Sequence, residues 1–263
     1  MIRIGETLNS SIPKTLAVLE PFDEAAVREI FAKQKACGAL IADLNTALCP
    51  DELNVMRRLG ALCAEYELVP MFDSPDPSVL CAMLKETQGA AFVNSVTLTD
   101  RREILPLVRD QIAAGRQLSL VALPTGDAIP ATDKERRENV TNLVDGLLSL
   151  GIPAGAIWVD LVVEALAADQ KSACRTLDTL SFVREKYPEA KTVCGLSNVS
   201  FGLPSRAELN CTFISMLLAG GLTGALCNVT SPRMRRTLAA AEALLGEDDY
   251  CMNYLSLYRE LEG

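Results

Sequence analysis

The stretch KTVCGLSNVSFGLP, residues 191–204, joins a short β-rich run to a polar loop. The run from Lys191 to Gly195 predicts a buried strand, and Ser197 and Asn198 follow directly where that strand ends. A helical window begins after Ser205. The stretch therefore predicts one strand–loop–helix unit with polar side chains at the carboxyl end of the strand.

The same unit repeats along the chain. Seven further β-rich runs alternate with amphipathic helical windows, a pattern typical of an α/β protein. These runs are Ile2–Ile4, Ala39–Ala42, Leu68–Phe72, Ala91–Val93, Gln117–Ala122, Ala156–Val159 and Gly224–Leu226. Eight strands, each followed by a helix, in 263 residues predict a (β/α)8 TIM barrel with functional groups at the carboxyl ends of its strands.

Start and stop signals bound the predicted helices. Asp23 is expected to cap a helix that ends before Gly38, and Asp100 to open one in which Pro106 causes a kink or a later start. The other windows are Asp51–Tyr66, Asp76 or Ser78 to Gly89, Asp133–Leu150, Asp169–Tyr187, two that follow Ser205 and Ser231, and Met252–Leu261. No linker or shift in composition divides the chain, so a single domain over residues 1–263 is expected.

Composition narrows the possible functions. Apolar residues make up 49% and charged residues 22%, as in ordinary globular proteins. The 34 acidic and 25 basic residues give a net charge of -9, which disfavours nucleic acid as a partner. Nine scattered cysteines predict reduced thiols and a cytoplasmic location. The uncharged stretch Leu209–Pro232 contains Gly220, Gly221 and Asn228, which favour a buried helix, a turn and a strand over a membrane span.

The chain contains no histidine. This removes the usual neutral ligand of zinc, copper and haem iron, and every histidine-based triad or general base. No two cysteines form a CxxC motif either. We therefore expect no bound metal.

Polar residues follow seven of the eight predicted strands. They are Glu6 and Asn9, Asp43 and Asn45, Asp73 and Ser74, Asn94 and Ser95, Asp160, Ser197 and Asn198, and Asn228; only the fifth strand ends in Leu123-Pro124-Thr125. Any one of them could be a turn residue or a helix cap. Together they predict a cup of carboxylates and amides, which suits a neutral heterocycle with adjacent N–H donors, such as a pterin.

The order of these motifs resembles a known family. The run GLSNVSFGLP at 195–204, followed by Arg206, resembles the signature of pterin-binding methyltransferases that move a methyl group between tetrahydrofolate and a protein-bound corrinoid. The motifs IGETLN at 4–9, DLN at 43–45, FDS at 72–74 and VNS at 93–95 extend the resemblance over nearly the whole chain.

The resemblance implies a pterin-binding (β/α)8 barrel that is usually a homodimer. Two aspartates and an asparagine hold the pterin in that family, which implies these roles for Asp73, Asn94 and Asp160. Asn198 would hydrogen-bond N5 of the folate, so Asn198 and Asp160 are the implied catalytic residues. Further residues expected to bind the folate are Glu6, Asn9, Asp43, Asn45, Ser95, Ser197 and Arg206, although Arg206 could equally be a structural partner of a strand-end carboxylate.

The implied activity is methyl transfer between a corrinoid protein, cycling between methyl-Co(III) and Co(I), and N5 of tetrahydrofolate. It gives or uses 5-methyltetrahydrofolate. A carboxamide can donate or accept a hydrogen bond, so Asn198 suits both directions. Corrinoid-binding modules of the base-off kind resemble a DxHxxG pattern, which a chain without histidine cannot supply. The cobalamin-type corrinoid is therefore expected on a separate partner protein.

Two positions depart from the family pattern. Leu161 follows Asp160 where the family often has proline, and Phe201 stands where some members have glutamine. These departures leave the shape of the rim and the partner-facing side open.

Several functions remain open at this point. We favour corrinoid-dependent demethylation of methylated amines or methoxylated compounds over the corrinoid/iron-sulfur protein methyltransferase of the acetyl-CoA pathway. A dihydropteroate synthase-like enzyme is a rival, but residues 43–48 do not resemble its glycine-rich loop. A non-catalytic folate-binding subunit is a further alternative.

Overall fold

A closed parallel barrel forms the centre of the molecule in the computed structural model, which describes residues 1–99 and 103–262. Each strand pairs with the next, and the eighth pairs with the first. The strands are β1 Ile2–Gly5, β2 Ile41–Asn45, β3 Val69–Asp73, β4 Ala91–Val96, β5 Leu118–Ala122, β6 Ile157–Asp160, β7 Lys191–Gly195 and β8 Gly224–Cys227. The predicted (β/α)8 barrel is confirmed.

Helices surround the barrel. They are α1 Pro13–Leu19, α2 Glu24–Ala36, α3 Glu52–Glu65, α4 Pro77–Glu86, α5 Ile104–Ala113, α6 Asp133–Ser149, α7 Ser172–Lys186, α8 Arg206–Ala219, α9 Pro232–Leu244 and α10 Met252–Glu262. The Asp23 side chain caps α2 by accepting from Ala26 N at 3.1 Å, as predicted. Helix α1 was not predicted, because it has seven residues and no side-chain cap.

Helix α7 starts later than predicted, whereas α8 follows Ser205 as predicted. Helix α7 begins at Ser172, because Asp169 instead accepts from Lys171 N in a turn before the helix. Pro106 lies in the first turn of α5, where its missing N–H removes no helical hydrogen bond. The start expected at Asp100 lies outside the described residues. Ser205 precedes α8 with a φ of 51° and makes no side-chain cap.

An apolar layer lies inside the barrel. Phe92 and Trp158 meet edge to face in it, with ring centroids 5.0 Å apart. The layer consists of Ile4, Ile41, Met71, Phe92, Val121, Trp158 and Val193, with Leu226 packed against it. Because alternate residues of a strand share a face, the positions two residues further on face the mouth of the barrel. Those positions are Glu6, Asp43, Asp73, Asn94, Leu123, Asp160, Gly195 and Asn228.

The uncharged stretch at 209–232 forms most of α8, a glycine turn and β8, as predicted. Gly221 has a φ of 83° in that turn, and a Cβ there would meet the Arg184 guanidinium at 1.8 Å. Among the described residues, no helix combines the length and apolar character needed to cross a bilayer.

Candidate functional site

The register of β2, β3 and β4 brings three predicted site residues into a row. Asn45 lies opposite Asp73, and Asp73 lies opposite Asn94. Asn45 Nδ2 donates to Asp73 Oδ2 at 2.8 Å, while Asn45 Oδ1 accepts from Ser10 Oγ at 2.9 Å. Asn45 therefore orients the Asp73 carboxylate, and its own amide is fixed by the loop after β1.

Asp43 lies in the floor of the mouth and is 1% exposed. Neither of its carboxylate oxygens reaches hydrogen-bond geometry with a described group, although the Asn94 side chain lies close enough to favour the ionised form. Burial raises the pKa of Asp43 well above its ordinary value, and the negative charges of Asp73 and Glu6 raise it further. A carboxyl in this position retains its proton more strongly than an exposed aspartate does.

Asp160 ends β6 and is held by the loop that follows. Val162 N donates to Asp160 Oδ1 at 2.7 Å. Burial raises the pKa of Asp160 to about 6, and the charge of Asp73 also raises it, while the Val162 N–H and the Arg136 guanidinium lower it. The carboxyl is therefore ionised at neutral pH and becomes protonated in mild acid.

A second hydrogen-bonded group joins β1 to the loop after β7. Ser197 Oγ donates to Glu6 Oε1 at 2.7 Å. Arg206 Nη2 donates to Ser197 O at 2.7 Å, and Arg206 Nε donates to Ser200 Oγ at 3.0 Å. Burial raises the pKa of Glu6, against the Ser197 hydrogen bond and the Arg206 charge, which lower it. Arg206 thus holds the loop through a carbonyl and a hydroxyl, and its charge acts on the Glu6 carboxylate from a distance.

Asn198 lies in the middle of the 3-10 helix Leu196–Ser200, between the two points that Arg206 holds. Its side chain is exposed at the mouth. Gly195 makes room for it, since a Cβ at that position would lie 3.1 Å from Asn198 Nδ2. Asn198 is therefore carried on a fixed backbone while its carboxamide faces solvent.

The remaining predicted residues have more local surroundings. Asn9 Oδ1 accepts from Ser11 N at 2.8 Å, which is a turn interaction. Ser95 is 8% exposed at the end of β4. Asn228 is exposed and its Oδ1 accepts from Thr230 Oγ1 at 2.8 Å.

A cavity of about 510 Å³ opens beside these residues, on the side of the mouth formed by β1, β7 and β8. Its lining includes Glu6, Asp43, Ser197, Phe201, Arg206 and Asn228. Asp73 and Asp160 end β3 and β6, and Asn94 lies two residues before the end of β4, around the rest of the same mouth. The structure thus places the predicted residues at one end of the barrel, at or just after the carboxyl ends of its strands.

Sequence reasoning missed Arg136. This side chain of α6 is 2% exposed and donates from Nη1 to Val162 O at 3.0 Å, and from Nη2 to the Glu164 carboxylate. It therefore fixes the loop that also holds Asp160. A signal was available, because Arg136 lies four residues before the buried Val140, on the apolar face of its helix.

The mouth is rich in hydrogen-bond acceptors. Four carboxyl groups, Glu6, Asp43, Asp73 and Asp160, follow the apolar layer at equivalent positions. Within residues 1–99 and 103–262, no three side chains of the metal-binding kinds converge into a metal site. The arrangement can bind a flat neutral ring through its N–H groups, with a carboxamide available at the edge.

Comparison with known proteins agrees with this geometry. Residues 22–226 match the family model described as pterin binding enzyme. The chain belongs to this family of pterin-binding enzymes.

Two relatives show which members of the family this chain is similar to. The chain is 32% identical over 265 residues to the methylcorrinoid:tetrahydrofolate methyltransferase of Eubacterium limosum, an alignment that covers 99% of this chain and 97% of that protein. It is also 28% identical over 253 residues to the methionine synthase of Mycobacterium leprae, but those residues make up 20% of that much longer protein.

Solved structures share the fold. Dihydropteroate synthase from Thermus thermophilus superimposes with a TM-score of 0.67 at 18% identity, covering 92% of this chain and 94% of that one. The enzyme from Yersinia pestis gives a TM-score of 0.67 at 12% identity, over 94% of this chain and 93% of its own. At these identities the likeness supports the barrel fold alone.

Proposed function

We propose that this protein transfers a methyl group from a methyl-Co(III) corrinoid protein to N5 of tetrahydrofolate. The observation that carries the proposal is the set Asp73, Asn94, Asp160 and Asn198 at one barrel mouth. Family membership supports a pterin as the ligand. The full-length similarity to a methylcorrinoid:tetrahydrofolate methyltransferase supports the reaction.

The proposed step is a direct displacement at the methyl carbon. The N5 lone pair forms the new bond to carbon as the cobalt–carbon bond breaks, and both electrons of that bond stay on cobalt. Methyl-Co(III) thereby becomes Co(I), and tetrahydrofolate becomes 5-methyltetrahydrofolate. The proton of the N5–H group leaves to solvent or to a neighbouring carboxylate, so atoms and charge balance.

The carboxylates of the mouth would supply orientation. Asp73 and Asp160 would accept from the N–H groups of the pterin, and Asn94 would bind its polar edge. Asn45 already fixes Asp73 at 2.8 Å, and Val162 N fixes Asp160 at 2.7 Å. Because both carboxylates are held before a ligand enters, binding loses less conformational freedom.

Asn198 and Asp160 would be the catalytic residues. The Asn198 carboxamide can accept from the N5–H group when tetrahydrofolate is the acceptor, and it can donate to N5 in the reverse reaction. It changes no charge in either role. The other residues proposed to bind the folate are Glu6, Asn9, Asp43, Asn45, Ser95, Ser197 and Arg206.

The biological setting is also part of the proposal. The corrinoid would be carried by a separate protein that comes over the mouth and then withdraws, and no resident metal would take part. We propose a homodimer that works in the cytoplasm under anaerobic conditions, since Co(I) is readily oxidised. The original methyl donors would be methylated amines or methoxylated compounds.

Three competing functions are less well supported. Dihydropteroate synthases share the fold at 12–18% identity, which does not extend to their reaction. The acetyl-CoA-pathway methyltransferase would use the same site in the reverse direction. A non-catalytic folate-binding subunit would need no residue such as Asn198 at the mouth.

Paired assays test the proposal. The protein is offered methyl-Co(III) corrinoid protein with tetrahydrofolate in one reaction, and a pterin diphosphate with p-aminobenzoate in another. Mass spectrometry should detect 5-methyltetrahydrofolate only in the first. Dihydropteroate in the second reaction would overturn the methyltransferase proposal in favour of the synthase.

A further inference from the structure

Exposed apolar side chains border the candidate site. Ile12, Leu48 and Phe201, here called the apolar rim, lie on the loops after β1, β2 and β7 and are 41%, 58% and 68% exposed. Ile12 and Phe201 line the 510 Å³ cavity, and Leu48 N donates to Ser10 Oγ at 3.1 Å. Because β7, β8, β1 and β2 follow one another around the barrel, the apolar rim lies along one continuous edge of the mouth.

Phe201 is held in its exposed position. Its backbone N donates to Asn198 O at 3.0 Å, and the Arg206 guanidinium carbon lies 5.9 Å from its ring centroid. Arg206 is in turn bonded to Ser197 O. A solvent-exposed aromatic ring contributes little burial energy to the isolated protein. When a partner protein covers such a ring, its burial supplies a large part of the binding energy.

We propose that the apolar rim is the contact surface for the corrinoid-carrying protein, with Phe201 as its central residue. This inference rests on the proposed function. Since the methyl group passes directly from cobalt to N5, the corrinoid must come over the barrel mouth at which the folate would bind. The apolar rim forms one edge of that mouth, so it lies where a partner covering the mouth would make contact.

The size of the apolar rim fits such a partner. Three separate side chains offer a small apolar area, which is typical of contacts that form and break, whereas permanent interfaces are larger and more apolar. A corrinoid protein that collects each methyl group elsewhere must leave after every transfer. A second copy of this chain seated on the apolar rim would instead block the mouth.

The test compares two methyl donors. One is free methylcobalamin, and the other is a methyl-Co(III) corrinoid protein that gives turnover with the unchanged protein. Leu48→Ser is the sharpest variant because Leu48 does not line the cavity, and Phe201→Ala is the second. Leu244→Ser is the matched control, since Leu244 is 88% exposed at the far end of α9.

We expect Leu48→Ser and Phe201→Ala to raise the KM for the corrinoid protein about tenfold more than they affect transfer from free methylcobalamin. Leu244→Ser should change neither. Equal losses with both donors would overturn the inference, because the residues would then act on the folate site. Loss with neither donor would overturn it as well and leave the proposed function intact.

A smaller oligomer in the variants, seen by light scattering, would assign the surface to a second copy instead. If the unchanged protein transfers a methyl group from neither donor, the proposed function is wrong, and the inference that rests on it is wrong as well.

Discussion

At the level of single residues, Asn198 stands apart because its carboxamide is exposed on a backbone that Arg206 holds at two points. We expect Asn198→Ala to lower the rate of methyl transfer about a hundredfold, as loss of one transition-state hydrogen bond does. Tetrahydrofolate affinity, measured by calorimetry, should change less than tenfold. Asn142→Ala on the exposed side of α6 is the control, and an equal loss in both variants would contradict the assignment.

Asp160 makes a pH dependence testable. With a pKa of about 6, its carboxylate is available to accept from pterin N–H groups above that pH and is lost below it. Tetrahydrofolate affinity should therefore be constant above about pH 7 and fall about tenfold per pH unit below about pH 6. Asp160→Asn should bind weakly at all pH values. An affinity profile that is flat from pH 5 to about pH 8 in the unchanged protein would contradict this role.

Ionisation of Asp43 is expected to destabilise the folded protein, whereas ionisation of a paired surface aspartate usually stabilises it. Its pKa is raised in the folded protein, so the folded state binds the proton more tightly than the unfolded state does. The contribution of Asp43 to the free energy of unfolding is then fully present below its ordinary pKa of 3.8. It is lost as the pH rises towards the raised pKa of the folded protein. Asp43→Asn, which mimics the neutral acid, should raise the free energy of unfolding in urea at pH 8, and the gain should shrink towards pH 4. If Asp43→Asn does not raise the free energy of unfolding at pH 8, the Asp43 charge is compensated in the folded protein and this prediction is wrong.

The sequence indicated these residues but not their partners. Placing Glu6, Asp73 and Asp160 at strand ends needed only the alternation of strands and helices. The Asn45–Asp73 and Ser197–Glu6 hydrogen bonds join residues that are far apart in sequence, so they depend on the barrel register. Local sequence patterns do not predict that register.

At the level of elements, the loop after β6 depends on α6. Arg136 donates to Val162 O and to Glu164, and Val162 N holds Asp160. We expect Arg136→Met to lower the free energy of unfolding by about 3–5 kcal/mol, since it leaves Glu164 and buried carbonyls without their donor. Denaturation in urea measures this loss.

The double variant Arg136→Met/Glu164→Gln serves as the control for that measurement. It removes both charges, so it should recover part of the lost stability. If the single variant is as stable as the unchanged protein, the ion pair does not fix the loop.

Element boundaries show where local signals are sufficient. The Asp23 cap and the Gly38 stop define α2 because both act within a few residues. Helix α7 starts later than Asp169 because Asp169 pairs with Arg175 at 2.9 Å and bonds Lys171 N in the preceding turn. A capping residue and a turn residue look alike in sequence, and packing decides between them.

At the level of the whole molecule, the barrel separates stability from function along its axis. An apolar layer that includes Phe92 and Trp158 fills the interior, and the carboxyl layer lies directly above it. The number and order of the strands were predictable because eight alternating units fit a 263-residue chain. The burial of Asp43 follows from closure of the barrel, which no local sequence pattern predicts.

The most direct test is the absorbance of a methyl-Co(III) corrinoid protein mixed anaerobically with this protein, with and without tetrahydrofolate. We predict rapid conversion to the Co(I) spectrum only when tetrahydrofolate is present, with one 5-methyltetrahydrofolate formed for each cobalt reduced. An unchanged spectrum with corrinoid proteins of several kinds, despite measurable tetrahydrofolate binding, would rule out the methyl transfer and identify the chain as a folate-binding protein without this reaction.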